Sequence, residues 1–258
     1  MAARLKSDPR PTGQLLYSRQ MTKSVAIVQS CYIPWKGYFD LISSVDEFIL
    51  FDDRQFTRRD WRNRNRIKTP QGSQWLTIPV ETKGRYHQRI DETVISDPGW
   101  ARQHWKTIVH NYASAPSFPH YRERLEALYE SASDPRLSAV NRHFLEAINE
   151  LLGIGTTLSW STDYEAEGAR TERLVSLCRA AEATHYLSGP SARSYLDEGA
   201  FADAGIEVSY FDYADYPEYE QLYAPFDHAV TILDLILNTG PDAPRYMKAV
   251  GAAAGQRA

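Results

Sequence analysis

The sequence predicts an α/β fold: a Rossmann-like, mostly parallel sheet with a β-hairpin excursion and a helical insert. Short apolar segments alternate with helical segments near both ends of the chain, which favours parallel strands joined by helices. Residues 99–153 carry helical patterns only, and we expect them to form the insert. The Thr-Pro-Gln-Gly stretch at 69–72 has the residues of a type I turn and would join two strands as a hairpin.

Each predicted element follows from its apolar pattern and its flanking residues. The predicted strands are 23–29, 47–52, 63–68, 74–80, 156–160, 184–188 and 207–211. The predicted helices are 37–45, 99–112, 121–131, 137–152, 170–181 and 228–238. The clearest helical pattern spaces Val140, Phe144, Ile148 and Leu151 along one face and ends at Gly153.

The connection between the first strand and the first helix is the most informative segment. An apolar strand ends at Gln29, Pro34 stiffens the following loop, and Gly37 permits close backbone approach as the helix begins. Backbone N–H groups at such a helix start are unpaired and can hold an anion or a nucleotide. We therefore predict a binding site here. The alternative is that Pro34, Trp35 and Tyr38 only pack the loop.

A second block places acids and bases close together. An apolar strand ends in Asp52 and Asp53, so two carboxylates would lie at the carboxyl end of the sheet, where α/β proteins bind ligands. Seven basic residues follow, namely Arg54, Arg58, Arg59, Arg62, Arg64, Arg66 and Lys68. The last four would share one face of an extended strand and form an anion-binding wall. The alternative is an exposed edge strand made basic to prevent aggregation.

The overall charge limits the choice of partner. The chain carries a net charge of -4, and residues 197–227 contain nine acids and no lysine or arginine. Because the positive patch is compact and the chain is acidic overall, we predict a small phosphorylated ligand and no nucleic acid. The oligomeric state stays open.

Composition and the two termini define the expected domain organisation. We expect a disordered extension over 1–22, a single α/β domain over 23–245 and a flexible tail over 246–258. The first twenty residues lack the apolar region of a secretory signal, and no apolar run approaches the roughly 20 residues that cross a membrane. Cys31 and Cys178 offer no disulfide framework, which suits a reducing compartment. A cytoplasmic protein without a membrane span is therefore expected.

Histidines and hydroxyls supply few further candidates. The seven histidines show no metal-ligand spacing, so no metal site is predicted. His104 is the best general-base candidate, and the alternative is a hydrogen-bonded structural histidine. Ser188 begins a loop with Gly189 and Ser191 that suits phosphate contact or a helix cap.

Ordered motifs extend from about Ser24 to Pro241. They comprise residues 29–42, 51–56, 64–68, 74–80, 112–116, 186–188, 195–196, 233–235 and 238–240, together with His104, Tyr219 and Gln221. In this order they closely resemble the WbqC-like family of bacteria. One departure is Gln29-Ser30-Cys31, where the family typically has Gln-Pro, so the shape of this loop is expected to differ.

The resemblance implies an accessory enzyme of O-antigen, capsule and related polysaccharide or natural-product clusters, with a glycine (aminoacyl) transferase role suggested. The residues then expected to bind substrate are Gln29, Tyr32, Trp35, Gly37, Tyr38, Gln55, Arg59, Asn63, Arg64, Asn65, Lys68 and Tyr112, to which the residue pattern adds Ser188. The candidate catalytic residues are Asp52, Asp53 and His104.

We interpret the protein as a transferase that moves an acyl or aminoacyl group, for instance glycyl, onto the amine of an amino sugar that is nucleotide-linked. An activated acyl or nucleotide donor would serve as co-reactant. Arg59, Arg64 and Lys68 would bind phosphate, and Asp52 or His104 would accept the proton of the attacking amine.

Three alternatives stay open. Adjacent acids after a strand loosely match metal-dependent glycosyltransferases, which hold a diphosphate through a divalent cation. An adenylyl-transferring enzyme would place its loop at 34–38, although the paired histidines of such loops are absent. The third is a non-catalytic nucleotide-sugar-binding protein. In each case the tyrosine-rich segment 210–223 would be a lid, a stacking surface or an ordinary packed loop.

Overall fold

The structure, a computed structural model, describes residues 22–255 and contains a five-stranded parallel sheet. Its strands are β1 (Ser24–Val28), β2 (Glu47–Leu50), β5 (Thr157–Trp160), β6 (His185–Ser188) and β7 (Glu207–Tyr210). A separate antiparallel hairpin consists of β3 (Arg64–Thr69) and β4 (Gly72–Thr77). All seven predicted strands are present within three residues of the predicted ends, and the predicted α/β fold class is confirmed.

Eight α-helices lie within the described residues. They are α1 (Lys36–Ser43), α2 (Trp100–Tyr112), α3 (Phe118–Ser131), α4 (Leu137–Leu152), α5 (Thr171–Ala180), α6 (Glu198–Asp203), α7 (Ile232–Thr239) and α8 (Ala249–Gly255). Short 3₁₀ helices cover Ser161–Asp163, Pro190–Ser194 and Gly240–Tyr246. Among the α-helices, none combines the length and the apolar character that a membrane crossing requires.

The helix ends have local causes. The α4 helix has the predicted bounds because Gly153 adopts the left-handed conformation, φ 69°, that ends helices. The α7 helix begins four residues later than predicted because the Thr231 hydroxyl accepts a hydrogen bond from the Leu233 N–H and caps it. The six-residue α6 was not predicted, and the Asp197 carboxylate caps it.

The chain termini were predicted to lack structure. Residues 1–21 and 256–258 lie outside the described residues. The predicted tail nevertheless contains α8, whose first N–H groups are satisfied by a carboxylate from α1. Asp40 accepts hydrogen bonds from the backbone N–H groups of Lys248, Ala249 and Val250 at 2.8–3.1 Å. This long-range cap has no local sequence signal.

The central strands are buried on both faces, which explains their continuous apolar runs. Ala26, Phe48 and Leu50 contribute to the larger core with α1, α4 and α7. Val25 and Ile49 point to the opposite face, where they pack with residues of α5 and α6. The two-residue period of a strand therefore divides the interior into two cores.

The strand order positions a binding crevice. The sheet runs β5-β2-β1-β6-β7, and every neighbouring pair is parallel. The chain moves outward from β1 through β2 to β5, and then crosses over to β6 on the other side of β1. Ligands bind α/β sheets outside the carboxyl ends of the strands at such a reversal. The relevant edge here lies between the ends of β1 and β6.

The hairpin and the helical insert interrupt the chain between β2 and β5. Thr69 pairs with Gly72 across the predicted turn, and Gly72 has φ 110°, a conformation that suits glycine. The α2, α3 and α4 helices follow the hairpin as predicted.

Candidate functional site

A cavity of about 980 Å³ lies at the carboxyl ends of β1 and β6. Its wall includes Val28 and Gln29 after β1, Ser188 to Ala192 after β6, and Arg170 with Thr171 at the start of α5. Tyr213, from the loop after β7, completes the wall. The volume suits a nucleotide-sized ligand, since ligand pockets usually measure about 300–1,000 Å³.

The charges on this wall all have one sign. Its residues include Arg54 and Arg170, but none of the described residues that line it is an aspartate, a glutamate or a histidine. The wall of the cavity is thus positive although the whole chain has a net charge of -4. A cavity of this kind attracts an anion.

Arg54 is fixed by an ion pair behind the cavity. Its Nη2 lies 2.7 Å from an Asp53 carboxylate oxygen, and Arg173 Nη2 lies 3.0 Å from the same oxygen. Ser161 donates a hydrogen bond to the other Asp53 oxygen. Burial acts to raise the pKa of Asp53, but these hydrogen bonds and the two arginines hold it below its usual value. Asp53 therefore stays ionised and positions two guanidinium groups.

Arg170 sits at the start of α5 in an uncommon backbone conformation. Its φ is 51°, which non-glycine residues seldom adopt. Within residues 22–255 its guanidinium group makes no ion pair and no hydrogen bond, and no side chain caps α5. Because a helix N-terminus carries a partial positive charge, this end of the cavity combines that charge with an uncommitted cation.

Four predicted binding residues line the cavity, namely Gln29, Tyr38, Gln55 and Ser188. The Gln29 carbonyl accepts hydrogen bonds from the Tyr38 hydroxyl at 3.0 Å and from Arg62 at 2.9 Å, which fixes its backbone. Its side-chain amide has no hydrogen-bond partner in the described part of the chain. The Gln55 amide donates to the Tyr86 carbonyl at 2.8 Å.

Trp35 and Gly37 lie beside the cavity and shape the loop. A Cβ atom on Gly37 would stand 2.4 Å from the Trp35 ring, so only glycine leaves room for this indole. The Trp35 ring then packs against Tyr213, with ring centroids 5.4 Å apart. The close backbone approach predicted at Gly37 is therefore the approach of the α1 backbone to the indole ring of Trp35.

Asp52 is buried and organises the loop after β1. It accepts hydrogen bonds from the Ser30 N–H at 2.8 Å and from the Ser138 hydroxyl of α4. Burial raises the pKa of Asp52 above its usual value, and these hydrogen bonds offset only part of that effect. The two neighbouring aspartates therefore have different partners: Asp52 accepts hydrogen bonds from two serines, and Asp53 pairs with two arginines. Across residues 22–255, no three His, Cys, Asp or Glu side chains are grouped as a metal ion would need.

His104 and Tyr32 lie in an aromatic cluster away from the cavity. The His104 Nε2 is 3.2 Å from the Thr77 carbonyl, so this nitrogen donates and Nδ1 accepts from the Tyr32 hydroxyl at 2.9 Å. Tyr129 continues the chain of hydroxyls at 2.9 Å from Tyr32. Burial lowers the pKa of His104 to about 4. Both ring nitrogens are therefore engaged in holding together β4, the insert and the loop that follows β1.

Asn63 closes the base of the hairpin, while Asn65, Lys68 and Tyr112 connect the hairpin to the rest of the domain. The Asn65 amide donates to the Tyr32 and Ile33 carbonyls at 3.1 and 2.7 Å. Asn63 donates to the Ile78 carbonyl, Lys68 reaches the Pro225 carbonyl, and Tyr112 donates to Asp234. All four lie outside the lining of the cavity.

Arg59 and Arg64 lie on the outside of the hairpin. The Arg64 guanidinium stacks 4.0 Å from the centroid of the Trp75 ring and also bonds the Arg59 carbonyl. Arg66 lies 5.8 and 5.7 Å from the centroids of Trp61 and Trp75. Arg64 and Arg66 of the predicted wall therefore face tryptophan rings. Arg62 turns inward to the Gln29 and Ser30 carbonyls and Lys68 to the Pro225 carbonyl, so the four side chains do not form one anion-binding face.

Several residues of the cavity were missed as site residues. Arg54 was counted only as part of the basic cluster, and Arg170 stands in a segment with no motif. Tyr213 was considered only as part of the tyrosine-rich segment 210–223, for which a lid, a stacking surface and a packed loop were all left open. The sequence did indicate the part of the wall that follows β6. The loop at 187–191 was expected to contact phosphate or to cap a helix, and Ser188, Gly189 and Ser191 line the cavity. A second hollow of about 1300 Å³ lies between α2 and α3, away from the strand ends.

Comparisons with known proteins agree on the family. The sequence profile of the WbqC-like protein family matches residues 29–246. An uncharacterized protein of Mycobacterium tuberculosis (strain ATCC 25618 / H37Rv), Rv1507c, is 54% identical over 226 residues, covering 88% of this chain and 98% of the relative. No solved structure matches the chain. The chain that builds this crevice therefore belongs to the WbqC-like protein family.

Proposed function

We propose that the cavity between β1 and β6 binds a nucleotide-linked amino sugar and that the protein transfers an acyl or aminoacyl group onto its amine. One observation carries the proposal: the cavity wall presents Arg54 and Arg170, and none of the residues from 22 to 255 that line it is acidic. Diphosphate is the anion of matching charge, and arginine binds it through paired hydrogen bonds.

The binding mode follows from the two ends of the cavity. The phosphates would lie between Arg54, Arg170 and the start of α5, where hydroxyls of Thr171 and Ser191 are also present. The sugar would extend toward Gln29, whose amide has no partner within residues 22–255.

The proposed transfer needs few chemically active groups in the cavity wall. The amine nitrogen attacks the carbonyl carbon of the donor, a C–N bond forms, the bond to the leaving group breaks, and the amine proton leaves with that group. The cavity would mainly hold the two reactants together, which is a large part of catalysis in transfers of this kind. Asp53 acts in this proposal by positioning Arg54 and Arg173, while Asp52 and His104 hold the surrounding structure.

A second candidate is a nucleotide-sugar-binding protein without catalysis. The observation that favours it is the same cavity lining, which offers no aspartate, glutamate or histidine to accept a proton. Binding and transfer must therefore be measured separately.

The test uses UDP-glucosamine as acceptor, with acetyl-coenzyme A or glycyl-adenylate as donor. We expect saturable binding of UDP-glucosamine by calorimetry and a product whose mass has increased by the acyl group. Replacing Arg170 with Gln should weaken binding at least 10-fold, and the matched change Arg64→Gln on the hairpin should not. Binding without product would support the non-catalytic candidate, and no binding would overturn both.

A further inference from the structure

We propose that Tyr213 recognises the nucleoside ring that the anionic ligand carries, and that Trp35 and Gly37 are the positioning residues that hold Tyr213 in the wall. The inference rests on the proposed function, because it assigns the part of the same cavity that does not contact phosphate.

Tyr213 is the one aromatic side chain that the segment after β7 contributes to the cavity. Its ring faces the loop after β6, at 3.9 Å from the point where a Cβ atom would stand on Gly189. Its hydroxyl makes no hydrogen bond to any residue from 22 to 255. Burial raises the pKa of Tyr213 to about 12, so the hydroxyl keeps its proton and remains a donor. The wall therefore offers an aromatic face and a hydrogen-bond donor together.

The position of this ring is set by aromatic contacts. The centroid of Tyr213 lies 5.4 Å from that of Trp35 and 4.9 Å from that of Phe211. Trp35 also packs edge-on against Tyr216, at 5.5 Å. Because a Cβ atom on Gly37 would lie 2.4 Å from the Trp35 ring, any larger residue at 37 displaces this ring and the tyrosines that pack on it.

Polar contacts anchor the same segment to α1. The Tyr216 hydroxyl donates to Asp40 at 2.6 Å, and Lys36 Nζ donates to the Pro217 carbonyl at 2.8 Å. Since Asp40 also accepts the N–H groups at the start of α8, one buried carboxylate holds both the segment and the last helix. Tyr213 is thus presented by a fixed segment, which reduces the entropy lost when a ring stacks on it.

This arrangement assigns roles to two predicted residues that do not line the cavity. Trp35 and Gly37 act through Tyr213 rather than on the ligand. The expected ligand is a nucleoside attached to phosphate, because a base stacks on an aromatic side chain and such stacking tolerates different bases.

The experiment compares two probes that share the diphosphate group, inorganic pyrophosphate and UDP, by calorimetry. The wild type should bind UDP at least 10-fold more tightly than pyrophosphate. Tyr213→Leu, which keeps an apolar side chain without the aromatic face, should lower the UDP affinity about 10-fold and leave the pyrophosphate affinity within about 2-fold. Tyr213→Phe should retain most of the UDP affinity. Gly37→Ala should behave like Tyr213→Leu.

The control is Tyr86→Leu, whose ring is 77% exposed and lies outside the cavity lining, and it should bind both probes as the wild type does. Equal losses for both probes in Tyr213→Leu, or no loss for either, would overturn the role of Tyr213 while leaving the anion site standing. A wild type that binds neither probe would overturn the proposed function itself, and this inference with it. Thermal unfolding of each variant identifies any change in folding.

Discussion

Two groups of arginines show how differently one residue type is used in this chain. On the hairpin, Arg64 stacks on Trp75, and Arg66 lies near both Trp61 and Trp75. At the sheet edge, Arg54 and Arg170 face a cavity that no acid lines. The structure therefore divides the dense cluster of the sequence, since Arg64 and Arg66 lie against tryptophan rings on the hairpin and Arg54 reaches the cavity.

A high density of basic residues along a sequence is therefore a weak guide to the position of an anion-binding site. A guanidinium group that covers an indole ring is already stabilised by that ring. Of the two cavity arginines, Arg54 is held in place by Asp53, and the Arg170 guanidinium group has no partner within residues 22–255. The fold alone decides which arginines reach the cavity. Mutation of the cavity arginines should therefore lower the affinity for UDP, whereas mutation of the hairpin arginines should leave that affinity unchanged and lower only the stability.

The largest effect should come from the cavity side. Replacing Arg54 and Arg170 together with Gln should weaken UDP binding about 100-fold or more, since each charge-assisted hydrogen bond contributes about 1.5–3 kcal/mol. The double variant Arg64→Gln/Arg66→Gln is the matched control and should bind UDP within about 2-fold of the wild type. Calorimetry at constant salt measures both, and equal losses in the two double variants would erase the distinction between the two groups.

The next largest effect is the contribution of His104, which bonds the Thr77 carbonyl of the hairpin, to the free energy of unfolding. Because the pKa of His104 is lowered to about 4, the folded state binds fewer protons than the unfolded state between about pH 4 and pH 6.5. This contribution is present above pH 6.5 and is lost as the pH falls, amounting to about 3 kcal/mol by pH 4.

Urea unfolding at several pH values tests this dependence in the wild type and in His104→Gln. The destabilisation caused by His104→Gln should be greatest at pH 7 and should shrink toward pH 4. His110, exposed on the same helix, supplies the control His110→Gln, which should keep the wild-type slope. A constant difference across this pH range would contradict the assignment.

A somewhat smaller loss is expected at Asp234, which joins the hairpin side to α7. Its carboxylate accepts hydrogen bonds from Tyr112, Tyr219 and Gln221 at 2.7–2.9 Å, and an asparagine cannot accept all three. Asp234→Asn should lower the free energy of unfolding by about 2 kcal/mol. Denaturant unfolding measures it, with the surface variant Asp242→Asn as control. The UDP affinity of Asp234→Asn should stay unchanged. A loss of UDP affinity in this variant would show that Asp234 and its hydrogen-bond partners contribute to the binding site.

The smallest effect is expected at Arg64. Replacing it with Leu removes the cation–π contact with Trp75 and should cost about 0.5–1 kcal/mol of stability. Denaturant unfolding and tryptophan fluorescence together report it. A tenfold loss of UDP affinity in this variant would show that the hairpin arginines do contact ligand.

Sequence patterns predicted the elements of the fold well. The α4 helix was predicted with its observed ends because four apolar residues and Gly153 define it locally. Two helices were not predicted. The α8 helix relies for its cap on Asp40, which is far away in sequence, whereas the six-residue α6 is capped by the adjacent Asp197. Of the candidate site, Gln29, Tyr38, Gln55 and Ser188 were predicted and line the cavity. The tyrosine-rich pattern of residues 210–223 indicated a possible stacking surface but not that Tyr213 is the tyrosine that reaches the cavity, and Arg170 has no local signal.

The parallel sheet, the hairpin turn, the helical insert and the family could all be predicted from residue patterns, because apolar periodicity, turn residues and ordered motifs are local properties of the chain. The folded arrangement was needed to learn which arginines face a cavity, why Gly37 must lack a side chain, and which aspartate is buried and which forms an ion pair. These outcomes depend on strand order and on contacts between residues far apart in sequence, which local patterns do not encode.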